Sequence, residues 1–349
     1  MKKTETGRMP RAIKWFSNRF TVKGLILMYH SINEWGSDPW SLSVSPSNFA
    51  EHLEVLQKYG RPMQLQQYIR KHRFGIIPRN VVLVTLDDGY ADNLINAKPL
   101  LKRYNIPATV FLTTGYIGLE REFWWDELDK LFLQPGKLPE VLCLKIDGNG
   151  YEWALDNGGY YSQEEYLNNR NQRAWDGEPG SRYNLYYSIW QLLRSLPYDK
   201  QRKAIDEIIT WAGIEPVARS THRPLNLEEV FELAQGDLIE VGSHTVTHPF
   251  LSLHALASQQ NEIQGSKEKL EEILGRPVTS FAYPHGDYDE RGIGLVRQAG
   301  FACACSTASD IVWWHTNRFQ LPRVQVEDWN GEEFENKLSG LLNECDNEQ

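Results

Sequence analysis

Apolar residues in this chain fall into short, nearly continuous runs separated by amphipathic stretches. Runs of that kind mark strands buried on both faces, as in a parallel sheet. They predict strands over residues 24–30, 81–86, 108–113, 238–243, 279–283, 301–306 and 322–326. Helices read between them. Ser45 and Pro46 precede Phe49, Leu53 and Leu56, a capped amphipathic start. Asn226 opens a helix over 227–234, and residues 332–342 form the last. Ser252 is placed to start a long helix carrying Leu253, Leu256, Ile263, Leu270 and Ile273, closed by Gly275 and Pro277. Seven strands alternating with helices predict an α/β fold with a closed or nearly closed barrel.

Residues 121–215 break the rhythm. They hold six of the 12 Trp and eight of the 16 Tyr, with an Asn- and Gly-rich middle over 147–181. Leu185, Ile189, Leu192 and Leu196 recur there at helical spacing. The stretch reads as a partly helical, aromatic-rich insertion between the third and fourth strands. The expected organisation is an N-terminal tail (1–23), a first barrel part (24–120), the insertion (121–220) and a second barrel part (221–345). No internal repeat is visible.

Composition narrows the function classes. With 37 basic and 46 acidic residues in 349, the net charge of −9 disfavours a nucleic-acid or other polyanion binder. An aromatic content of 12% excludes intrinsic disorder. Cys143, Cys303, Cys305 and Cys345 are too few and scattered for a disulfide framework. The basic N-terminus lacks the apolar core of an export signal, and no stretch reaches membrane-spanning length. A cytoplasmic location is expected, with Ile13 to Phe20 a candidate for weak contact with a membrane surface.

Chemistry concentrates at strand ends. The second strand ends in Asp87-Asp88-Gly89-Tyr90, two carboxylates at the rim where barrels of this kind place their active sites. In extended backbone the pair diverges, so one can bind a metal while the other faces a substrate; the competing reading is a plain Asp-Gly turn. The fourth strand ends in His244-Thr245-Val246-Thr247-His248, whose imidazoles converge if the intervening residues turn helically. Asp88, His244 and His248 would form a site with an open position, as in catalytic rather than structural metal centres. Phe281-Ala282-Tyr283-Pro284-His285-Gly286 forms a Pro-X-Gly turn whose amides could face an oxyanion. The first strand ends in His30, on the same rim.

These segments resemble the signatures of the NodB-type polysaccharide deacetylases, carbohydrate esterase family 4. The resemblance covers about residues 24–117 and 225–343 and implies a distorted (β/α)7 barrel. It implies that Asp88, His244 and His248 bind a divalent metal, usually Zn2+, and that Asp87 is the general base. The family's acid is a histidine ending an apolar strand. Here that strand stands at the N-terminus, as in the circularly permuted branch that includes poly-N-acetylglucosamine deacetylases, which gives the role to His30. Two departures stand out. Ala282 replaces an Arg that orients the base in many members, and Arg323 is the candidate replacement. His285 stands where an aromatic is usual. Tyr283, Pro284, His285, Gly286, Trp124 and Trp125 are the expected substrate contacts, with Trp313 and Trp314 competing for the stacking role.

The implied activity is metal-dependent removal of N-acetyl groups from an N-acetylated sugar or polysaccharide intermediate, in surface polysaccharide or lipopolysaccharide assembly. The alternatives are a sugar N-deformylase or O-acetyl esterase on the same site, or a non-catalytic carbohydrate-binding protein.

Overall fold

The computed structural model describes residues 23–73, 81–155 and 159–344. The expected tail lies outside them except for Lys23, as does Cys345. Among the described residues no helix is long and apolar enough to cross a membrane.

A curled, mainly parallel sheet of nine strands organises this mixed α/β fold. In chain order the strands are β1 (Lys23–Tyr29), β2 (Arg61–Pro62), β3 (Val81–Leu86), β4 (Ala108–Leu112), β5 (Ile239–Ser243), β6 (Ser280–Ala282), β7 (Cys303–Cys305), β8 (Val312–Trp313) and β9 (Val324–Gln325). Spatially the order runs β7-β6-β5-β4-β3-β1, and β2 lies along β3. The other edge of β1 is shared: β8 pairs antiparallel with its start and β9 parallel with its end. Leu321, just ahead of β9, bridges to Cys305 of β7. The segment 321–325 thus hydrogen-bonds to both outer strands of the curl.

All seven strands expected from the apolar runs are present: 81–86 as expected, the first shifted by one residue, and the other five shortened at their ends. Both faces are buried. Leu25, Leu27 and Tyr29 pack outward under helices, and Ile26, Leu83 and Phe111 fill the inside of the curl. Cys303 and Cys305 share that inner cluster as free thiols. Gly242 on β5 is required there, because a Cβ would stand 2.4 Å from the Phe111 ring. Ser45 caps the Pro46–Tyr59 helix by accepting from the Asn48 amide, and Asn226 caps Leu227–Leu233 in a reciprocal box with Glu229. The long helix starts later than expected, at Leu256, since Ser252 is occupied by hydrogen bonds to Asp287.

The aromatic stretch between β4 and β5 contains the helices Trp124–Phe132, Gln163–Asn169, Arg182–Leu193 and Tyr198–Ala212. It also contains an antiparallel hairpin, Val141–Ile146 with Asn149–Ala154, that the helical reading omitted. Its first strand alternates exposed and buried residues, so one face packs and the other meets water. Tyr90 and Tyr116, from the rim of the main sheet, belong to the same apolar cluster as Trp124, Trp125 and Trp190. This stretch and the rim of the sheet therefore share a core.

Trp313 is opposite Lys23, at the N-terminal end of β1. That is the end away from His30, so Trp313 and Trp314 do not compete for the rim.

Candidate active site

Parallel register brings Asp87, His244 and the turn after Ala282 to one rim. Tyr29 is level with Leu86, Leu112 with Ser243, and Ser243 with Phe281. After β3 the chain does not continue extended. Asp88 and Gly89 have φ of 72° and 90°, in the left-handed region, which throws Asp88 sideways from Asp87. At Gly89 that φ is free, and a Cβ would also meet Leu112 Cδ2 at 2.7 Å.

The two histidines converge by a route other than the expected helical turn. Thr245 and His248 both have positive φ, 65° and 62°, unusual for a β-branched residue such as Thr245. Glu262, on the Leu256–Leu274 helix, holds the reversal by accepting from the amides of Val246 and Thr247, both at 2.8 Å, and from the Thr247 hydroxyl. Sequence reasoning missed Glu262, because no local motif links it to residues fourteen or more positions away.

The result is a triangle of ligand atoms. Asp88 Oδ1 stands 3.4 Å from His244 Nε2 and 3.2 Å from His248 Nε2, and the two imidazole nitrogens are 3.2 Å apart. Tetrahedral bonds of about 2.0–2.1 Å to a central Zn2+ give ligand–ligand edges of about 3.3 Å, so the donor set has that shape. His244 Nδ1–H donates to the Ala282 carbonyl at 2.8 Å, which leaves Nε2 as a lone-pair donor. Asp88 Oδ1 is buried and has no hydrogen-bond donor among the described residues. Burial raises the Asp88 pKa, but His248 and His244 outweigh it and hold the carboxylate well below its usual range. All three residues are buried.

Asp87 is set differently. Both its oxygens accept from Arg323, Oδ1 from Nη1 and Oδ2 from Nη2, each at 2.7 Å. Arg323 is fully buried and also donates to the Ser306 carbonyl and to Thr85 Oγ1. Burial pushes Asp87 up; the Arg323 charge, His244 and the paired hydrogen bonds overcome it, so the carboxyl stays below its ordinary value. Ala282, where many relatives carry the orienting Arg, is a buried part of the inner cluster.

His30, Asp87, Asp88, His244, His248 and His285 line one pocket of about 320 Å³. Its other walls include Trp40, Trp125, Trp190 and Phe250. Burial lowers the His30 pKa, with Asp88 and Asp87 pulling the other way. The His285 ring stacks on Phe250 at 3.8 Å, with its edge toward His248.

The chain matches the polysaccharide deacetylase family over two segments. That family's sequence profile matches residues 76–135 and 211–304, the segments that carry both motifs. A poly-beta-1,6-N-acetyl-D-glucosamine N-deacetylase of Staphylococcus aureus is 33% identical over 89 residues, 25% of this chain and 31% of that protein. The first curated relatives are matched over 31–41% of their own length. The fold is shared with a Streptococcus pyogenes deacetylase, PplD, solved with acetate (TM-score 0.56, 18% identity, 92% of this chain and 99% of that one). It is shared also with IcaB of Ammonifex degensii (TM-score 0.56, 17% identity, 92% and 97%).

The other expected contacts separate. Trp125 lines the pocket, its ring 4.5 Å from His248, with Nε1–H donating to Tyr90. Trp124 is turned into the apolar cluster of the aromatic stretch and does not line the pocket. Tyr283 is buried with its hydroxyl bonded to the Phe319 carbonyl, and its amide donates to Cys305. Pro284 has no N–H, so of the expected oxyanion donors the His285 amide is what remains. Gly286, at φ 68°, packs against Thr307 and leaves the pocket wall to His285. The sequence reading passed over Trp40 and Phe250 as wall residues. Phe250 stands two residues past a motif histidine, which was a usable signal; Trp40 had none.

Proposed function

We propose that the chain is a metal-dependent hydrolase that removes N-acetyl groups from an N-acetylated sugar or polysaccharide, in the assembly of a surface polysaccharide. The observation that carries this is the juxtaposition, in one pocket, of the Asp88–His244–His248 triangle with an arginine-clamped Asp87 and with His30. A pure binding site has no use for a positioned base and acid together. We read the scaffold as a distorted (β/α)7 barrel divided at residues 24–120 and 221–345, with 121–220 as its insertion.

Asp88, His244 and His248 would hold the metal, with Zn2+ the best match to two imidazoles and one carboxylate. When bound it would polarise the acetyl carbonyl and the attacking water. Asp87, kept ionised and oriented by Arg323, takes the water's proton. His30 protonates the departing amine, a leaving group too basic to depart as an anion. Burial holds His30 below the ordinary imidazole range, so its proton depends on the carboxylates of Asp88 and Asp87 facing it. The pocket walls of Trp125, Trp40 and Trp190 offer faces for the apolar side of a sugar ring.

The test is acetate release from N-acetylglucosamine and its β-1,6-linked oligomers, with and without a chelator, alongside metal analysis of variants. Asp87→Asn is expected to lower turnover at least about a hundredfold with metal still bound. His244→Ala is expected to lose both. Full metal occupancy in His244→Ala would overturn the ligand set, and chelator-insensitive acetate release would overturn the metal dependence.

A further inference from the structure

Trp175 is 55% exposed, although leaving a side chain of that size in water forfeits its burial. Its position is held rather than loose. The amide of its neighbour Ala174, itself fully buried, donates to the Pro39 carbonyl at 3.0 Å. Arg173 pairs with Glu327 at 2.8 Å, and the Asp176 amide closes the turn onto the Arg173 carbonyl. The turn sets Trp175 6.0 Å from the Trp40 ring. Trp40 is a wall of the catalytic pocket, fixed by its Nε1–H donating to Tyr186.

Behind that wall lies a second cavity, of about 590 Å³, larger than the catalytic pocket. Neighbouring residues divide the two spaces across a turn with Ser41 at φ 52°: Trp40 and Leu42 line the pocket, Ser41 and Ser43 the groove. The groove mixes aromatic and polar side chains, among them Trp35, Tyr166, Asp38 and Arg170. Aromatic faces flanked by hydrogen-bonding groups match the two surfaces of a pyranose, its C–H face and its hydroxyl rim.

We propose that Trp175 and the groove behind Trp40 form a distal subsite for further sugar units, so that the preferred substrate is an oligosaccharide longer than the unit in the catalytic pocket. This rests on the sugar-deacetylase reading above. The segment 163–175 that supplies Tyr166, Arg170 and Trp175 lies outside the residues matched by the family profile, so the subsite would be particular to chains carrying this insertion.

The experiment measures binding by titration calorimetry of N-acetylglucosamine and its β-1,4- and β-1,6-linked tetramers to the full chain. Wild type is expected to bind one of the tetramers more tightly than the monosaccharide. In Trp175→Ala that length preference should fall by about three- to tenfold, the worth of one aromatic contact. Trp314→Ala removes the other tryptophan that is exposed among the described residues, at the opposite end of β1, and should keep the preference. A wild type with no length preference, or a Trp175→Ala protein that retains it, would overturn the subsite. Acetate release, scored separately, judges the deacetylase reading: a chain that binds tetramers through Trp175 yet hydrolyses none sinks that reading alone.

Discussion

The two adjacent aspartates have opposite surroundings. Asp88 faces two imidazoles and keeps an unpaired oxygen, whereas both oxygens of Asp87 are taken by Arg323. A buried charge pair is costly to break, because the surviving partner is left uncompensated. Arg323→Ala is therefore expected to lose about 3–5 kcal/mol of stability in urea denaturation. Arg323→Lys keeps the charge but not the planar fork, and should lose less stability while still lowering acetate release. On the metal-site reading proposed above, metal stoichiometry should be unchanged in both, since Arg323 hydrogen-bonds to none of Asp88, His244 and His248. Position 323 was readable as a candidate only because position 282 lacked its arginine. Its distance of 236 positions from Asp87 hides the contact from any local pattern.

At the scale of elements, β1 is tied to the helix Pro46–Tyr59 and to the last helix through one buried histidine. His52 Nε2–H donates to the Trp329 carbonyl at 2.6 Å, Nδ1 accepts from the Tyr29 hydroxyl, and the ring stacks on Phe334. Burial lowers its pKa to about 4. Between that value and the unfolded value of about 6.5, the unfolded chain binds the proton and the folded one does not. Stability from this group is thus complete above pH 6.5 and falls as the pH drops toward 4, by about 3 kcal/mol in all. Asp38 and Asp92, both raised by burial to about 6, act in the opposite sense. The comparison to make is therefore wild type against His52→Gln. From pH 4 to 6.5 the variant's denaturation midpoint should rise less, or fall more, than that of the wild type; an equal pH dependence would refute the assignment. The strands themselves were legible from apolar runs and two helix starts from their caps. The hairpin within the insertion was not, because its short alternating run sits among Asn and Gly residues that read as loop.

For the molecule as a whole, the aromatic stretch between β4 and β5 is joined to the rim by polar as well as apolar contacts. Trp125 Nε1–H donates to Tyr90, which in turn donates to Asp126 at 2.8 Å. Arg219 pairs with Glu122 and Asp129, at 2.7 and 2.6 Å, and donates to the Asp126 carbonyl. One guanidinium thus answers a cluster of three buried acids. Arg219→Met should lose about 3–5 kcal/mol in urea denaturation. A loss under 1 kcal/mol would show that the cluster is relieved by protonation instead; burial already raises Asp126 well above the usual carboxylate range.

The sequence alone determined the order of buried strands, the helix starts at Ser45 and Asn226, and the residues at the rim, because apolar periodicity and strand-end motifs are local properties. It could not decide that the His244–His248 loop reverses through positive φ under Glu262, or that Arg323 reaches Asp87. Nor could it say that Trp125 faces the pocket while its neighbour Trp124 does not. Those outcomes depend on contacts between distant segments and on which way a side chain turns within a shared core. The aromatic richness that composition left ambiguous is divided by the same physics: most of the insertion's rings pack its core, a few wall the pocket, and Trp175 remains in water.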